Sequence, residues 1–179
     1  MAVRQVALLR GVNVGRGNRI SMADLRTLLS GLGCEEVRTL LNSGNAVFSI
    51  AQGSAKEAAV RIEKALAATL DVPVRVIVLT AAEMDRVLFE NPLGKIATNL
   101  SRLLVAVWGA PSDGAKLQDL AKQDWGKEAL GIGSRAAYLW CADGVADSEL
   151  SKAVNRALGG SVTSRNWSTM LKLQEMLAR

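Results

Sequence analysis

A group of glycines and arginines between residues 10 and 19 has the types and spacing to bind an anion. The members are Gly11, Gly15 and Gly17 with Arg10, Arg16, Arg19 and the interleaved Asn13. Backbone N–H groups that glycines leave accessible beside the start of a helix bind anions, and arginines add positive charge. The stretch fits neither GxxxxGK[ST] nor GxGxxG. It predicts an anion site of no standard type, against the alternative of a solvated connection whose arginines serve solubility.

The turn Asn42-Ser43-Gly44-Asn45 is a second candidate group. Ser43 and Asn45 would present a hydroxyl and an amide to a ligand, yet a tight hairpin requires these same residue types for backbone reasons. The turn interpretation is favoured. Ser43 as a nucleophile would need a lysine or a carboxylate as its base, because the chain contains no histidine.

A third candidate, Arg165-Asn166, precedes Trp167 near the end of the chain. With Thr163 or Ser164 as the N-cap, both residues are predicted in the first turn of the last helix. An arginine there opposes the helix dipole unless an anion or an acidic partner offsets it. The alternative is a buried ion pair, and this structural interpretation is favoured.

The absence of histidine removes the commonest general base, the usual zinc ligand and any Ser-His-Asp triad. The acidic residues around Gly144 lack the spacing of a calcium loop. Cys34 and Cys141 belong to no CxxC motif and are expected to be buried thiols. The sequence therefore predicts no metal site and no cofactor. Phe48 alone on the first predicted sheet argues against a standard RNA-recognition module.

Positive charge is concentrated at the two ends of the chain. Residues 1–20 hold four arginines and no acidic residue, and residues 150–179 hold five basic residues and one acidic residue. Chain termini often lie close together in compact proteins, so we expect the two ends to form one basic surface. The apolar runs are too short for a membrane span and the first residues lack the regions of a signal peptide, which predicts a cytoplasmic protein with no membrane partner.

Hydrophobic periodicity and turn residues predict two α+β units in succession. Residues 1–80 follow the order strand, helix, strand, strand, helix, strand. This is the ferredoxin-like order, an antiparallel sheet with helices packed on one face. A capping box from Thr80 to Glu83 opens a helical connector over residues 81–100. Residues 101–179 repeat the order, including a helix over residues 112–123, with a last strand that is weak or missing and a C-terminal helix.

Four stretches together resemble the bacterial domain-of-unknown-function family 1697. They are residues 7–15 with 20–25, Asn42 to Phe48, Asp143-Gly144 with Ser148-Glu149-Leu150, and Thr163 to Thr169 with Lys172-Leu173. The resemblance implies two ferredoxin-like portions and no accepted activity, since the family is uncharacterised. Leu40-Leu41-Asn42 stands where the family has a tyrosine-containing run, so the resemblance implies no role that depends on this tyrosine.

These features favour a binding protein for a phosphate-bearing or anionic ligand, with nucleic acid as one candidate partner, at the loop over residues 10–19 and Arg165. One alternative is an enzyme that acts on a small anionic metabolite in a cleft between the units, where Asp24 would handle protons. Its cleft would gather Arg10, Asn13, Ser43, Asn45 and Arg165. A structural or protein-partner module is a third possibility. The sequence leaves the oligomeric state open.

Overall fold

The structure is a computed structural model and describes residues 2–179. It divides into two units. The first ends at Met84 and also includes Leu173–Arg179, and the second is Asp85–Lys172. The described residues form two four-stranded antiparallel sheets and six α-helices, which confirms the mixed α+β class. No helix within residues 2–179 has the length and apolar composition that crossing a membrane requires.

The first sheet has its earliest strand in the interior. Its elements are β1 (Val3–Leu9), α1 (Met22–Gly31), β2 (Glu35–Leu40), β3 (Asn45–Ile50), α2 (Ala55–Leu70) and β4 (Val76–Thr80), followed by α3 (Ala81–Phe89). The strand order is β2-β3-β1-β4, and β1 pairs antiparallel with both β3 and β4. The chain therefore leaves β1 beside the turn that joins β2 to β3.

The helices of the first unit begin where side chains accept from the orphan N–H groups of the first turn. Ser21 caps α1 by accepting from the N–H of Asp24, and Ser54 with Glu57 forms a reciprocal capping box on α2. The predicted capping box of Thr80 and Glu83 is confirmed at the start of α3. The caps of α1 and α2 fix the helices whose apolar faces cover one side of the sheet.

The core of the first unit lies between this sheet and the helices α1 and α2. Leu25 and Leu29 of α1 and Ile62 and Leu66 of α2 pack there with alternate residues of β1, such as Ala7. The residues of β1 that face the other way are also fully buried, among them Val6 and Leu8. Burial on both faces explains why Val6 to Leu9 of β1 form a continuous apolar run instead of an alternating one.

The second unit has the same strand order relative to its own first strand. Its elements are β5 (Leu103–Trp108), a 3-10 helix (Pro111–Leu117), α4 (Gln118–Ala121), β6 (Ala129–Ile132), β7 (Ala136–Trp140), α5 (Glu149–Leu158), a 3-10 turn (Gly159–Ser161), β8 (Val162–Asn166) and α6 (Trp167–Ala178). The order in the sheet is β6-β7-β5-β8, and β5 pairs antiparallel with β7 and β8.

The predictions for the end of the second unit are wrong. The last strand is present as β8, so Arg165 and Asn166 are strand residues and α6 begins at Trp167. Asn166 is the cap, because its side-chain oxygen accepts from the N–H of Thr169 at 2.9 Å. The polar run from Thr163 to Asn166 hid the strand, which forms because β5 supplies a complete antiparallel register.

The predicted helix over residues 112–123 is mostly a 3-10 helix with a single α-helical turn after it. Gly114 lies against the ring of Trp108, and a Cβ at this position would be 3.0 Å from a ring carbon. Trp108 is fully buried in this core. The bulk of the indole and the close approach of the backbone favour the tighter helix over a regular one.

Two arginines of the first unit bind the carboxyl end of α6. Arg38 of β2 donates to the carbonyl of Met176 at 2.6 Å, and Arg4 of β1 donates to the carbonyl of Leu177 at 3.1 Å. The last carbonyls of a helix have no partner inside it and carry negative partial charge. The two guanidinium groups therefore stabilise the end of α6, and Arg4 serves this contact and not the charged loop after β1.

We expect Arg38→Ala to lower the free energy of unfolding by about 1 kcal/mol, because a half-buried charge-assisted hydrogen bond is lost. Hydrogen exchange at the amides of the last turn of α6 should become faster, and urea unfolding measures the loss in stability. Arg26→Ala is the matched control, since Arg26 is exposed and donates to Thr39. Equal exchange rates at α6 in the two variants would contradict the capping role.

Candidate anion-binding site

The loop over residues 10–20, called the basic loop below, has an alternating backbone. Gly11, Asn13 and Gly15 have positive φ values of 64°, 56° and 62°, whereas the intervening Val12 and Val14 do not. Alternation of right-handed and left-handed residues directs successive N–H groups to one side and forms a nest, the concavity that binds anions in many phosphate sites. Residues 11–15, called the nest below, have the alternation in the sign of φ that such a concavity requires.

The N–H groups of this nest belong to exposed or half-buried residues, except for that of the buried Val12. Asn13 donates its backbone N–H to the carbonyl of Asn18 at 3.0 Å. Among the described residues, no group accepts from the N–H groups of Gly11, Val12, Val14 and Gly15. Gly11, Val14 and Gly15 are exposed, so these donors meet water or a ligand.

The side chain of Asn13 holds the basic loop in shape. Its amide nitrogen donates to the carbonyls of Ile20 at 2.8 Å and Asn42 at 2.7 Å, and its oxygen accepts from the N–H of Ile20 at 3.0 Å. Asparagine also tolerates the left-handed conformation better than most residues. Asn13 is thus a scaffold of the nest, and direct contact between Asn13 and a ligand stays a prediction.

Three arginines belong to the basic loop. Arg16 and Arg19 are exposed, and Arg19 donates to the carbonyl of Gly15 at 2.6 Å, while Arg10 is half-buried. The N–H of Arg10 donates to the carbonyl of Arg75, which brings a further arginine to this end of the sheet. Sequence reasoning missed Arg75, because only the pairing of β1 with β4 places it there. Arg75 also forms an ion pair with Glu63 at 3.6 Å.

The turn between β2 and β3 lies beside the basic loop and forms the predicted hairpin. Gly44 has φ of 76°, and a Cβ there would lie 2.5 Å from Cγ2 of Val12 and 2.7 Å from Cβ of Leu9. Asn45 is fully buried and donates to the carbonyl of Leu40 and to the hydroxyl of Ser43, each at 3.0 Å. Ligand contact by Ser43 and Asn45 stays a prediction, since both contribute to the turn.

Asp24, the predicted proton carrier of the enzyme alternative, belongs to the cap of α1. The hydroxyl of Ser21 donates to its carboxylate at 2.7 Å, and its own N–H donates to that hydroxyl at 3.0 Å. The cap accounts for the position of Asp24. A role in proton transfer stays a prediction.

Arg165 and Asn166 lie in the second unit. Arg165 donates to the hydroxyl of Thr163 and to the carbonyl of Ser164, each at 2.9 Å. Burial lowers the pKa of Arg165 to about 10, which still leaves the guanidinium charged at neutral pH. The expectation that Arg165 joins the basic loop in one site stays a prediction.

A pocket of about 360 Å³ in the second unit has the opposite charge. Its lining includes Asp124, Glu128, Asp143, Asp147 and Glu149. Several of these carboxylates have partners, since Glu149 pairs with Lys152 at 2.7 Å and Glu128 accepts from the N–H of Leu150 at 3.1 Å. Among the described residues, no group of three or more His, Cys, Asp or Glu has an arrangement that holds a metal ion. A pocket lined in this way does not suit a phosphate.

The comparisons with known proteins identify the family. The sequence model of a family described as "Protein of unknown function (DUF1697)" matches residues 3–138. The chain belongs to this family. The match to DUF1697 confirms the resemblance found in the motifs, and it includes the basic loop and the turn over residues 42–45. The motifs around residues 143–150 and 163–169 lie beyond the matched range.

A solved structure supports the fold of this DUF1697 chain. It is similar, at 23% identity and a TM-score of 0.82, to a structure described as that of the conserved bacterial protein SP0830 from Streptococcus pneumoniae, with 100% of each chain covered. Identity this low supports the fold alone. A search of the curated proteins found no match.

Proposed function

We propose that this protein binds a phosphate-bearing or anionic ligand in the nest of the basic loop. The observation that carries the proposal is the alternating sign of φ from Gly11 to Gly15, where every backbone N–H group except that of Asn13 donates to nothing among the described residues. A phosphate offers three acceptor oxygens to such a set of donors. Arg16 and Arg19 supply positive charge at the same loop.

The energetics suit a reversible binding site. A hydrogen bond to a charged group contributes roughly 1.5–3 kcal/mol when it is shielded from water, and less at an exposed loop. Several N–H donors with one or two guanidinium groups therefore give micromolar to millimolar dissociation constants, on the order of 4 to 8 kcal/mol of binding free energy. The loop is held by Asn13 before the ligand arrives, so little ordering entropy opposes binding.

The ligand class extends to nucleic acid as one candidate, because a backbone phosphate presents the same chemistry. We place the protein in the cytoplasm as part of this proposal. Binding to phosphate is electrostatic in this account, so raising the salt concentration must weaken it.

The test is titration of the full chain with inorganic phosphate by calorimetry, and with labelled single-stranded and double-stranded DNA and RNA by fluorescence anisotropy, at low and moderate salt. We expect phosphate to bind at low salt and to bind more weakly at moderate salt. Absence of phosphate binding at low salt, or binding indifferent to salt, would overturn the proposal. If the affinity for nucleic acid, counted per phosphate group, does not exceed the affinity for inorganic phosphate, the ligand is limited to small anions.

We also infer that both units are ferredoxin-like repeats. Each has the order strand, helical segment, strand, strand, helix, strand, and in each sheet the first and third strands are neighbours in the interior. Two helices on one face of a sheet with this strand order constitute the ferredoxin-like arrangement. An experimental structure with a different strand order in either sheet would contradict the inference.

A further inference from the structure

Two aliphatic side chains beside the nest are exposed to solvent. Val14, inside the nest, is 69% exposed, and Leu41, at the start of the adjacent turn, is 59% exposed. The hydrogen bond from the side chain of Asn13 to the carbonyl of Asn42 joins the basic loop to this turn. The surface that carries the N–H donors and the arginines therefore also carries apolar groups.

Leu41 is in a conformation that its residue type disfavours. Its φ is 57°, in the left-handed region, where a residue with a Cβ pays roughly 1–2 kcal/mol. Asparagine or glycine would adopt this conformation at lower cost, and exposure means that Leu41 gains little from packing. Neither folding nor turn geometry favours a leucine here, which points to a contact made with something outside the described chain.

We propose that the ligand of this surface is a phosphomonoester whose ester group is apolar, with its phosphate in the nest and its ester group against Val14 and Leu41. This proposal rests on the proposed function, since it names the class of ligand for the same site. Charge complementarity orients the ligand: Arg16 and Arg19 attract the phosphate, and the two aliphatic side chains remove apolar surface of the ester group from water. A phosphate with a polar ester group gains only the first of these contributions.

Calorimetric titration of the full chain with phenyl phosphate and glycerol phosphate tests the proposal. We expect phenyl phosphate to bind about tenfold more tightly, the ratio that burial of a modest apolar area produces. Hexyl phosphate, whose ester group is an alkyl chain, should also bind more tightly than glycerol phosphate. Equal affinities for all these esters, with phosphate binding retained, would overturn this inference and leave the proposed function intact. Failure of every phosphate to bind would overturn both.

Two variants test whether Val14 and Leu41 cause the preference for phenyl phosphate over glycerol phosphate. In Val14→Ser and in Leu41→Asn, the ratio of affinities for phenyl phosphate and glycerol phosphate should fall towards one. Asparagine suits the left-handed backbone, so Leu41→Asn is expected to fold. Val60→Ser is the control, because Val60 is 43% exposed on α2 of the same unit. A tenfold preference that persists in both loop variants would place the apolar contact elsewhere and contradict the proposal.

Discussion

Gly44→Ala should lower the free energy of unfolding by about 3 kcal/mol, as measured by urea denaturation. Two causes add. The backbone at Gly44 has φ of 76°, where a Cβ costs roughly 1–2 kcal/mol. The new Cβ would also lie 2.5 Å from Val12 and 2.7 Å from Leu9, and overpacking of this kind costs roughly 1–3 kcal/mol. Leu9 is part of β1 and fully buried, so it has little room to move.

Gly33→Ala separates these two causes. Gly33 has φ of 81°, and nothing lies within 4 Å of the position that a Cβ would take. It follows α1 as the left-handed residue that terminates the helix, so alanine there costs only the conformational part, about 1 kcal/mol. If Gly44→Ala and Gly33→Ala were equally destabilising, the contact between the turn and the basic loop would not be close enough to matter.

The Gly44→Ala variant should also affect ligand binding. Val12 is the buried member of the nest, and the side chain that Gly44 accommodates is that of Val12. Displacement of Val12 would disturb the alternation of φ on both sides of it. We therefore expect Gly44→Ala to bind phosphate more weakly even under conditions where it is fully folded, whereas Gly33→Ala should bind as the parent protein does.

Arg19→Ala is expected to weaken phosphate binding about 3-fold to 10-fold. The substitution removes an exposed charged donor, whose interaction with a ligand is worth less than the roughly 1.5–3 kcal/mol of a shielded one. It also removes the hydrogen bond at 2.6 Å from the guanidinium to the carbonyl of Gly15, which helps to hold the nest. Calorimetric titration with inorganic phosphate at low salt measures the change.

Arg26→Ala is the matched control for charge. It removes the same unit of positive charge from the first unit, but Arg26 lies on α1 and donates to Thr39. Long-range attraction between exposed charges is screened by salt, so this control should change the affinity by less than about twofold at moderate salt. Equal losses in Arg19→Ala and Arg26→Ala would mean that net charge, and no particular site, attracts the phosphate.

Local sequence signals predicted most of the elements. The capping box from Thr80 to Glu83 placed the start of α3, because a cap is a contact between residues a few positions apart. β8 could not be predicted in this way. Its register with β5 is a contact over about sixty residues, and its own sequence from Thr163 to Asn166 is polar.

The candidate site was predicted in composition but not in geometry. Glycines and arginines pointed to the basic loop, yet the sequence did not reveal that Asn13 would be a scaffold or that Arg4 would cap α6. Arg75 and Leu41 reach the surface through the pairing of β1 with β4 and with β3, strands that are distant from β1 in the chain. Such neighbours depend on sheet topology, and periodicity within one segment carries no information about them.

The most direct test of the account is titration of the ¹⁵N-labelled protein with inorganic phosphate, followed by amide chemical shifts. The proposal assigns the phosphate to backbone donors, so the amide signals of Gly11, Val12, Val14 and Gly15 should move the most and saturate together. The signals of the second unit should move far less. Saturable shifts concentrated elsewhere, or no shifts in the basic loop at low salt, would contradict the claim that this nest is the binding site.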